Sequence, residues 1–444
     1  MKVRGMARKK SLPRLWKLNA TLSLRIVVGL LGLSLLALIV TDASIYSRLS
    51  YLWGFLLVGN WIWAALALRK VHFQRRARIQ RAQVGQVFEE RFEIQNNGRL
   101  PRLWLEVRDQ SALPGRRGSR VLTMIGSGER RLYRVRTRLT RRGVFSLGPT
   151  VLSSGDLFGL FSVNRTVSSE ISLLVYPMMV DLDIFPSPPG LLPGGEALRR
   201  RTHQVTPNAA GVREYVPGDS LNRIHWLSTA RRERLMVKEF ELDPLADIWI
   251  FLDADREVQT SLPYSPLAQM EDALWRPWKE ARLPPSTEEY TVSIAASLGR
   301  HFLRLGRAVG LVSCRSQAPD VLPPDRGGRQ LGKLLEALAL LRAEGTMPIS
   351  TLVTAQDQRL PRGSTLILIT PSVREDVALA VDTLLQRGVR PVVILLDVDS
   401  FGGPPGTAVL STAIEALNVP VRRVANGADL ETVLSFEAGV MRTL

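Results

Sequence analysis

The amino-acid sequence predicts two transmembrane helices, then an all-β sandwich, then an α/β doubly wound domain. Two apolar stretches of about twenty residues each lie near the beginning of the 444-residue chain. Short segments of alternating apolar and polar residues follow, separated by Gly and Pro, and this pattern is typical of a β-sandwich. From Asp247 onward, apolar strand patterns alternate with amphipathic helix patterns, which predicts a parallel sheet.

The apolar stretches cover residues 22–40 and 49–68, and each can cross a hydrocarbon layer of ~30 Å. A secretory signal peptide is the alternative for the first stretch. Its apolar region would be shorter, however, and here a second apolar stretch follows at once. Asn60 lies inside the second stretch, where it can bond across to the first helix or have no special role.

The distribution of charge predicts the orientation of these helices. Residues 1–81 hold fifteen Lys or Arg and one acidic residue, so they carry +14 of the net charge of +18. The basic residues flank the helix pair, and the short loop inside it has one acid and one base. The positive-inside rule therefore predicts a multi-pass protein of the inner (cytoplasmic) membrane with both termini in the cytoplasm.

The same distribution argues against a nucleic-acid-binding protein. The excess of basic residues is explained by membrane topology and by attraction to anionic lipid headgroups. No motif that interleaves aromatic and basic residues, as base-stacking proteins have, is present in the sequence. We therefore expect membrane lipids as partners and no nucleic acid.

The single cysteine, Cys314, excludes an intramolecular disulfide.

The predicted organisation divides the chain into six segments. Pro and Gly are concentrated in the linker, which separates the alternating β pattern from the α/β pattern. The segments are a basic cytoplasmic tail (1–21), a transmembrane hairpin (22–68), the β-sandwich (83–180), the linker (181–206), a motif segment (207–246) and the α/β domain (247–444).

The motif segment contains a turn followed by a predicted helix. Val216-Pro217-Gly218-Asp219 is a turn signal, because Pro fixes φ and Gly allows a positive φ. Asp219 can cap a helix that runs to about residue 231. Leu221, Ile224 and Leu227 would face inward on this helix. His225 is expected to pack or to form a hydrogen bond, since no second ligand stands at helical spacing.

This segment resembles the signature of the bacterial domain of unknown function 58 family. The resemblance implies a von Willebrand factor A-like domain and an association with MoxR-type AAA ATPases. Two interpretations of the signature stay open: a charge network that joins the linker to the last domain, with Tyr215 and Trp226 as anchors, or a recognition surface for a partner. The residues that carry the resemblance are Arg213, Tyr215, Gly218, Asp219, Arg223, Trp226 and Arg231.

The resemblance also implies a candidate metal site. Von Willebrand A domains carry an Asp-x-Ser-x-Ser motif after their first strand, and Asp253 matches its first position. Asp255 and Glu257 replace the two hydroxyl residues with carboxylates, and Thr346 stands roughly where a threonine ligand would come. Oxygen ligands of this kind suit Mg²⁺ or Ca²⁺. The alternative is a degenerate motif that binds no metal, because Thr370-Pro371-Ser372 lacks the aspartate expected after a later strand.

Two functions follow from these observations. The first is a membrane-tethered cytoplasmic scaffold or adaptor that binds a protein partner, by resemblance a MoxR-type ATPase, in assembly or maturation of envelope complexes. The second is a divalent-metal-dependent hydrolase that uses Asp253 and Asp255. Other enzyme signals fail: the Gly-rich run 327–333 lacks the hydroxyl that binds magnesium in a phosphate loop. The insertion at 258–285 can pack locally or dock a partner.

Overall fold

The computed structural model divides the chain into two units, one ending at Tyr176 and the other formed by the described residues from Pro177 on. The basic tail, most of the linker, the middle of the 258–285 insertion and the end of the last predicted helix lie outside the described residues, as do Gly218, Asp219 and Arg223. The structure describes residues 22–41, 43–169, 171–182, 185, 209–216, 224–240, 247–264, 283–315, 318–361 and 363–435.

The first unit begins with an antiparallel pair of apolar helices, α1 (Leu22–Thr41) and α2 (Ser44–Ala67). Both are long and apolar enough to cross a membrane, and most of their large side chains are exposed. The helices meet through the hydroxyls of Ser34 and Ser50, whose oxygens lie 3.0 Å apart. Asn60 does not bridge the pair, because its amide donates to Leu56 O of its own helix at 2.7 Å.

Ten strands follow α2 among the described residues of the first unit, and two of the sheets that they form share a core. The sheet β1-β3-β6 packs on the sheet β5-β4-β8-β9, while β2, β10 and β7 form a third, smaller sheet. Side chains from both large sheets, including Phe92, Leu105 and Leu152, meet in that core, as in a sandwich. The strands are β1 (Val71–Ala77), β2 (Arg81–Gln83), β3 (Val87–Asn96), β4 (Arg102–Asp109), β5 (Arg120–Ile125), β6 (Arg130–Arg138), β7 (Gly143–Ser146), β8 (Thr150–Gly155), β9 (Ser162–Val167) and β10 (Ser172–Tyr176).

The core of this sandwich contains an ionic cluster that hydrophobic patterning does not reveal. Arg75 of β1 donates from Nε to Glu90 Oε1 at 2.7 Å and from Nη1 to Asp109 Oδ1 at 2.9 Å, and all three residues are buried. Its guanidinium also lies 5.0 Å from the ring centroid of Phe92. Burial lowers the pKa of Arg75, but the two carboxylates outweigh this effect and raise it overall. Burial raises the pKa of Glu90, the charge of Asp109 adds to this shift, and the hydrogen bond and charge of Arg75 oppose it.

The second unit begins with the motif segment, where β11 (Ala209–Glu214) pairs antiparallel with β12 (Met236–Phe240). Between them, α3 (Trp226–Arg232) is shorter than the predicted helix. Ile224 forms an isolated β-bridge with Val237, so the backbone there is extended rather than helical. The predicted start near residue 219 is therefore wrong for the described part, and tertiary pairing decides the boundary.

A mixed sheet forms the body of the second unit. Within the described residues its strand order is β15-β14-β13-β16-β17-β18, the order of a doubly wound fold. The strands are β13 (Ile248–Leu252), β14 (Val309–Ser313), β15 (Asp320–Asp325), β16 (Thr365–Thr370), β17 (Arg390–Leu396) and β18 (Val421–Val424). The helices are α4 (Thr287–Arg304), α5 (Gly327–Leu340), α6 (Ile349–Gln356), α7 (Asp376–Gln386), α8 (Thr407–Glu415) and α9 (Leu430–Leu434).

The sheet differs from the prediction at one edge. β15 runs antiparallel to β14, so the sheet is mixed rather than wholly parallel. Sequence patterning missed this strand because it contains Pro323 and Pro324, which cannot donate to a ladder. An edge position tolerates them, since one side of an edge strand needs no partner.

The ionic cluster gives a first test of the sandwich. Arg75→Ala leaves Glu90 and Asp109 buried without their cation, so we expect a loss of about 3–5 kcal/mol in the free energy of unfolding. Urea titration of the detergent-solubilised chain measures it. Arg136→Ala is the control, because Arg136 pairs with Glu89 on the exposed face and its removal should cost much less. Equal losses in the two variants would contradict this role of Arg75.

Candidate functional site

The carboxyl ends of β13 and β16 lie side by side at the centre of the sheet, where the strand order reverses. Ligands of doubly wound folds bind at this switch point. β13 consists of five buried apolar residues, and Asp253 follows directly after it. Thr370 ends β16, and its hydroxyl donates to Asp253 Oδ2 at 2.6 Å. The sequence-predicted Asp253 therefore lies at the position where this fold places its chemistry.

Both oxygens of Asp253 are engaged within the protein. Oδ2 accepts from Thr370, and Oδ1 accepts the backbone N–H of Asp255 at 3.1 Å. Asp253 is buried, and burial raises its pKa to about 7. Its hydrogen bonds and the Arg374 cation oppose this shift, while the charge of Asp255 adds to it.

Arg374, in the loop between β16 and α7, supplies the positive charge at this site. Its Nη2 donates to Glu257 Oε2 at 2.7 Å, and its Nη1 lies 3.5 Å from Asp255 Oδ2. The side chain of Asp255 is buried, so the guanidinium offsets a charge that water does not reach. The pKa of Arg374 is raised, chiefly by its hydrogen bond to Glu257.

The loop that carries Arg374 is held by short-range hydrogen bonds. Ser372 N donates to Thr370 Oγ1 at 2.9 Å, and Arg374 N donates to Ser372 Oγ at 3.2 Å. The segment Thr370-Pro371-Ser372, which lacks the expected aspartate, thus folds into a turn that places the Arg374 guanidinium beside the carboxylates. Sequence reasoning noted the missing aspartate but not Arg374, whose only signal was a basic residue four positions after a strand end.

Thr346 is exposed, and its neighbour Gly345 makes the close contact with the site. Gly345 pairs with Asp255 in a parallel β-bridge and accepts from Arg256 N at 2.9 Å. A Cβ at Gly345 would collide with Cys314 O and lie 2.9 Å from Ala254 O, so only glycine fits. The structure therefore brings this loop to the strand ends through its backbone.

These residues do not fit a divalent cation well. Both oxygens of Asp253 and Oδ1 of Asp255 already accept hydrogen bonds, and the Arg374 guanidinium lies against Asp255 Oδ2 and Glu257 Oε2, where it balances the charge. Among the residues that the structure describes, no group of three or more His, Cys, Asp or Glu is arranged to hold a metal ion. The Mg²⁺ or Ca²⁺ site at Asp253, Asp255 and Thr346 stays a prediction, and the geometry opposes it.

The ends of the 258–285 insertion meet beside the site. Ser261 forms an isolated bridge with Ser286, and Thr287 Oγ1 donates to Gln259 Oε1 at 2.7 Å. Gln259 Nε2 in turn donates to Asp253 O at 2.9 Å. The insertion therefore leaves and rejoins the fold at one place, next to the switch point.

The signature residues within the described part of the chain belong to β11, to the residues just after it and to α3. Arg213 of β11 pairs with Val237 of β12, and Tyr215 N donates to Leu235 O at 2.8 Å. Trp226 is 68% exposed and Arg231 is exposed, and the role of Trp226 as an anchor of the charge network stays a prediction. The proposed charge network involves Asp219 and Arg223, which are outside the described residues.

The contacts of His225 and the exposure of Leu227 reflect where α3 begins. His225 is the N-cap residue, and its Nδ1 accepts from Ser228 N at 3.1 Å, which confirms the predicted hydrogen-bonding role. Ile224 is buried as predicted, but Leu227 is 60% exposed. Because the helix begins at Trp226, the inward face predicted from a helix starting near residue 219 does not apply.

The fold and site define a class of protein. Its chain has two long apolar helices, a β-rich unit and a mixed α/β sheet, and an arginine pairs with carboxylates at the switch point of that sheet. Comparison with known proteins supports a DUF58 family protein. The model of the family "Protein of unknown function DUF58" matches residues 211–263, from the motif segment through the Asp253 loop. The "Uncharacterized protein YeaD" of Bacillus subtilis (strain 168) is 23% identical over 239 residues, 53% of this chain and 52% of that protein. The match thus spans about half the length of this curated relative.

Two solved structures show only weak likeness. The CARDB domain of a Pyrococcus furiosus protein, in complex with di-metal ions, aligns with 24% of this chain and 91% of its own at a TM-score of 0.17 and 11% identity. The Pseudomonas fluorescens alkylpurine DNA glycosylase AlkC, bound to DNA containing an abasic site analog, aligns with 33% of this chain and 42% of its own at a TM-score of 0.14 and 14% identity. Similarity at this level carries no argument about this chain.

The raised pKa of Asp253 predicts a pH-dependent stability. Between its ordinary value of 3.8 and about 7, the carboxyl ionises in the unfolded chain but stays protonated in the folded one. The free energy of unfolding, measured relative to Asp253→Asn, should therefore fall as pH rises through this window, by up to about 1.4 kcal/mol per unit, and then level off. Urea titrations from pH 4 to 8 measure it. Asp399→Asn controls for removal of an exposed carboxylate, and a difference independent of pH would contradict the shift.

The position of Arg374 predicts how strongly the site binds divalent cations. The unmodified protein should bind neither Mg²⁺ nor Ca²⁺ here, whereas Arg374→Ala frees Asp255 and Glu257 and should gain affinity for a divalent cation. Isothermal titration calorimetry of the detergent-solubilised proteins measures both.

Arg256→Ala is the matched control, because Arg256 is an exposed arginine on the loop that carries Asp255, and this variant should behave like the unmodified protein. Binding by the unmodified protein that Asp253→Ala abolishes would establish the metal site instead. Absence of binding in Arg374→Ala would contradict the view that the guanidinium stands in the cation's place.

Proposed function

We propose that this chain is a membrane-tethered adaptor of the cytoplasmic membrane, with both termini in the cytoplasm. α1 and α2 cross the bilayer, the sandwich lies at its surface, and the α/β unit, of von Willebrand A type, binds a protein partner. By resemblance to DUF58 proteins, that partner is a MoxR-type AAA ATPase. The complex would act in the assembly or maturation of envelope complexes.

The helix pair supports the membrane tether. Only 6% of the apolar 18-residue stretch of each helix is buried, so neither behaves as the core helix of a water-soluble domain. The exposed side chains include Leu33, Ile39 and Phe55, which water would solvate poorly. Basic residues flank both ends of the pair, and this supports the cytoplasmic placement of the termini.

The strand order and the switch-point loops support a von Willebrand A-type unit. The Asp-x-Asp-x-Glu run after the first strand occupies the place of the Asp-x-Ser-x-Ser motif, and it lies beside a loop from the fourth strand. Here the carboxylates face Arg374 rather than an open ligand position. We infer that such a unit binds partners through its surface rather than through a metal ion.

The observation that carries the adaptor function is the exposed apolar pair at the start of α3. Trp226 and Leu227 are neighbours in sequence, and both are largely exposed within residues matched by the family model. Tryptophan is strongly enriched among residues that dominate binding energy at protein interfaces. A side chain that contributes little to the fold and stands in the signature is well placed to contact a partner.

No observation favours the alternative hydrolase. That function needs carboxylate oxygens of Asp253 and Asp255 directed at a metal or a substrate. In the structure they accept hydrogen bonds from Thr370 and backbone N–H groups or contact Arg374.

A direct binding assay tests the adaptor function. The detergent-solubilised chain should retain a purified MoxR-type ATPase from the same organism, and Trp226→Ala should lower its affinity at least about tenfold, as expected for an aromatic anchor at an interface. Thermal unfolding should be unchanged, because Trp226 is exposed.

Leu379→Ala is the matched control, since Leu379 is an exposed apolar residue on α7 of the same unit. Failure of the unmodified chain to bind the ATPase would refute this partner. Equal binding by the unmodified chain and Trp226→Ala would refute the α3 surface.

A further inference from the structure

The loop between β8 and β9, residues 156–161, presents two adjacent apolar side chains to the outside of the first unit. Leu157 is 68% exposed and Phe158 is 60% exposed. The next two apolar residues of the loop, Leu160 and Phe161, are buried. The loop therefore divides its apolar residues into a buried pair and an exposed pair, and only the buried pair is explained by packing within the chain.

The conformation that exposes Leu157 and Phe158 is set by the buried side chain of Asp156. Its carboxylate accepts the backbone N–H groups of Phe158 at 3.1 Å, Leu160 at 3.1 Å and Phe161 at 2.7 Å. Trp104 Nε1 donates to Asp156 O at 3.2 Å. The exposed pair thus stands on a backbone that is fixed by hydrogen bonds to the sandwich.

The buried pair packs against the two apolar helices. Leu160 and Phe161 form a cluster with Ala64 of α2. Partly buried side chains of both helices cover this cluster: Leu24, Val27, Leu56 and Leu57. Leu57 lies ten residues before the end of α2, which corresponds to about 15 Å along the helix axis. The loop therefore lies alongside the apolar part of the helix pair and not beyond its end.

We propose that Leu157 and Phe158 insert into the bilayer, in the leaflet at the carboxyl-terminal end of α2. The occupant of this surface is lipid, because the loop packs on helices whose neighbouring faces are themselves exposed and apolar, including Ile26 and Trp61. Lipid that surrounds the helices at this depth also surrounds the loop. Aromatic and aliphatic side chains are those that enter the boundary between headgroups and acyl chains. The inference rests on the membrane tether of the proposed function.

Insertion would give the sandwich a third attachment to the membrane besides the two helices. Three attachments that are not collinear restrain the tilt of a rigid body, whereas a helix pair alone permits rotation about its end. The β-rich unit would then hold a fixed orientation relative to the bilayer.

Site-specific fluorescence in vesicles tests the inference. The full-length chain, with Phe158→Cys labelled by a nitrobenzoxadiazole dye, is reconstituted into vesicles of equal parts phosphatidylcholine and phosphatidylglycerol. Val144→Cys is the matched control, because Val144 is 54% exposed in the small sheet of the same unit. The native Cys314 is buried, so the introduced thiol takes the label.

The label at position 158 should have blue-shifted emission and be quenched several-fold more strongly by doxyl-labelled lipid than the label at position 144. A protein that floats with the vesicles but shows no lipid quenching at position 158 would overturn the insertion and leave the membrane tether standing. Shielding of position 158 from aqueous iodide without lipid quenching would assign the loop to a protein contact instead. Equal lipid quenching at both positions would also overturn it. A protein that does not float with the vesicles would refute the tether itself.

Discussion

The junction between α2 and the sandwich depends on one buried guanidinium, that of Arg102 at the start of β4. Its Nη1 donates to Leu66 O, in the last turn of α2, at 2.6 Å, and its Nη2 donates to Arg69 O, two residues after the end of that helix, at 2.8 Å. Asn96 accepts from its Nε at 3.3 Å. A cation at a helix carboxyl terminus also complements the helix dipole. Because Arg102 belongs to the sandwich and the two carbonyls belong to the end of α2 and the link that follows it, these hydrogen bonds fix the helix end to the sandwich.

That junction explains why other features of the first unit occur together. β1 begins four residues after α2 ends, and Val71 contributes to the core of the sandwich. Arg165 of β9 donates to Val71 O at 2.6 Å, so a second guanidinium holds the same connection. With the helix end fixed, the 156–161 loop is brought against α1 and α2. The basic residues after the second span, which indicate membrane topology in the sequence, thus include structural parts of the sandwich such as Arg75.

In both units, an arginine balances carboxylates that burial would otherwise destabilise. In the sandwich, Arg75 serves Glu90 and Asp109. At the switch point of the α/β unit, Arg374 serves the buried Asp255 and also pairs with the exposed Glu257. A guanidinium suits this role because it stays charged and can contact two carboxylates at once. At the switch point, the side chain of Asp255 is therefore paired within the chain.

The sequence by itself determined the two apolar spans, the β-rich region and the alternation of strands and helices after Asp247, because each depends on the local periodicity of apolar residues. It also placed Asp253 at a strand end. The tertiary structure alone decided the antiparallel edge strand, the late start of α3 at Trp226, the burial of Arg75 beside two carboxylates and the position of Arg374 beside Asp255. These features depend on contacts between residues far apart in the chain. Such contacts decide whether a charged or apolar side chain faces water, and a single sequence records the side chain but not its neighbour.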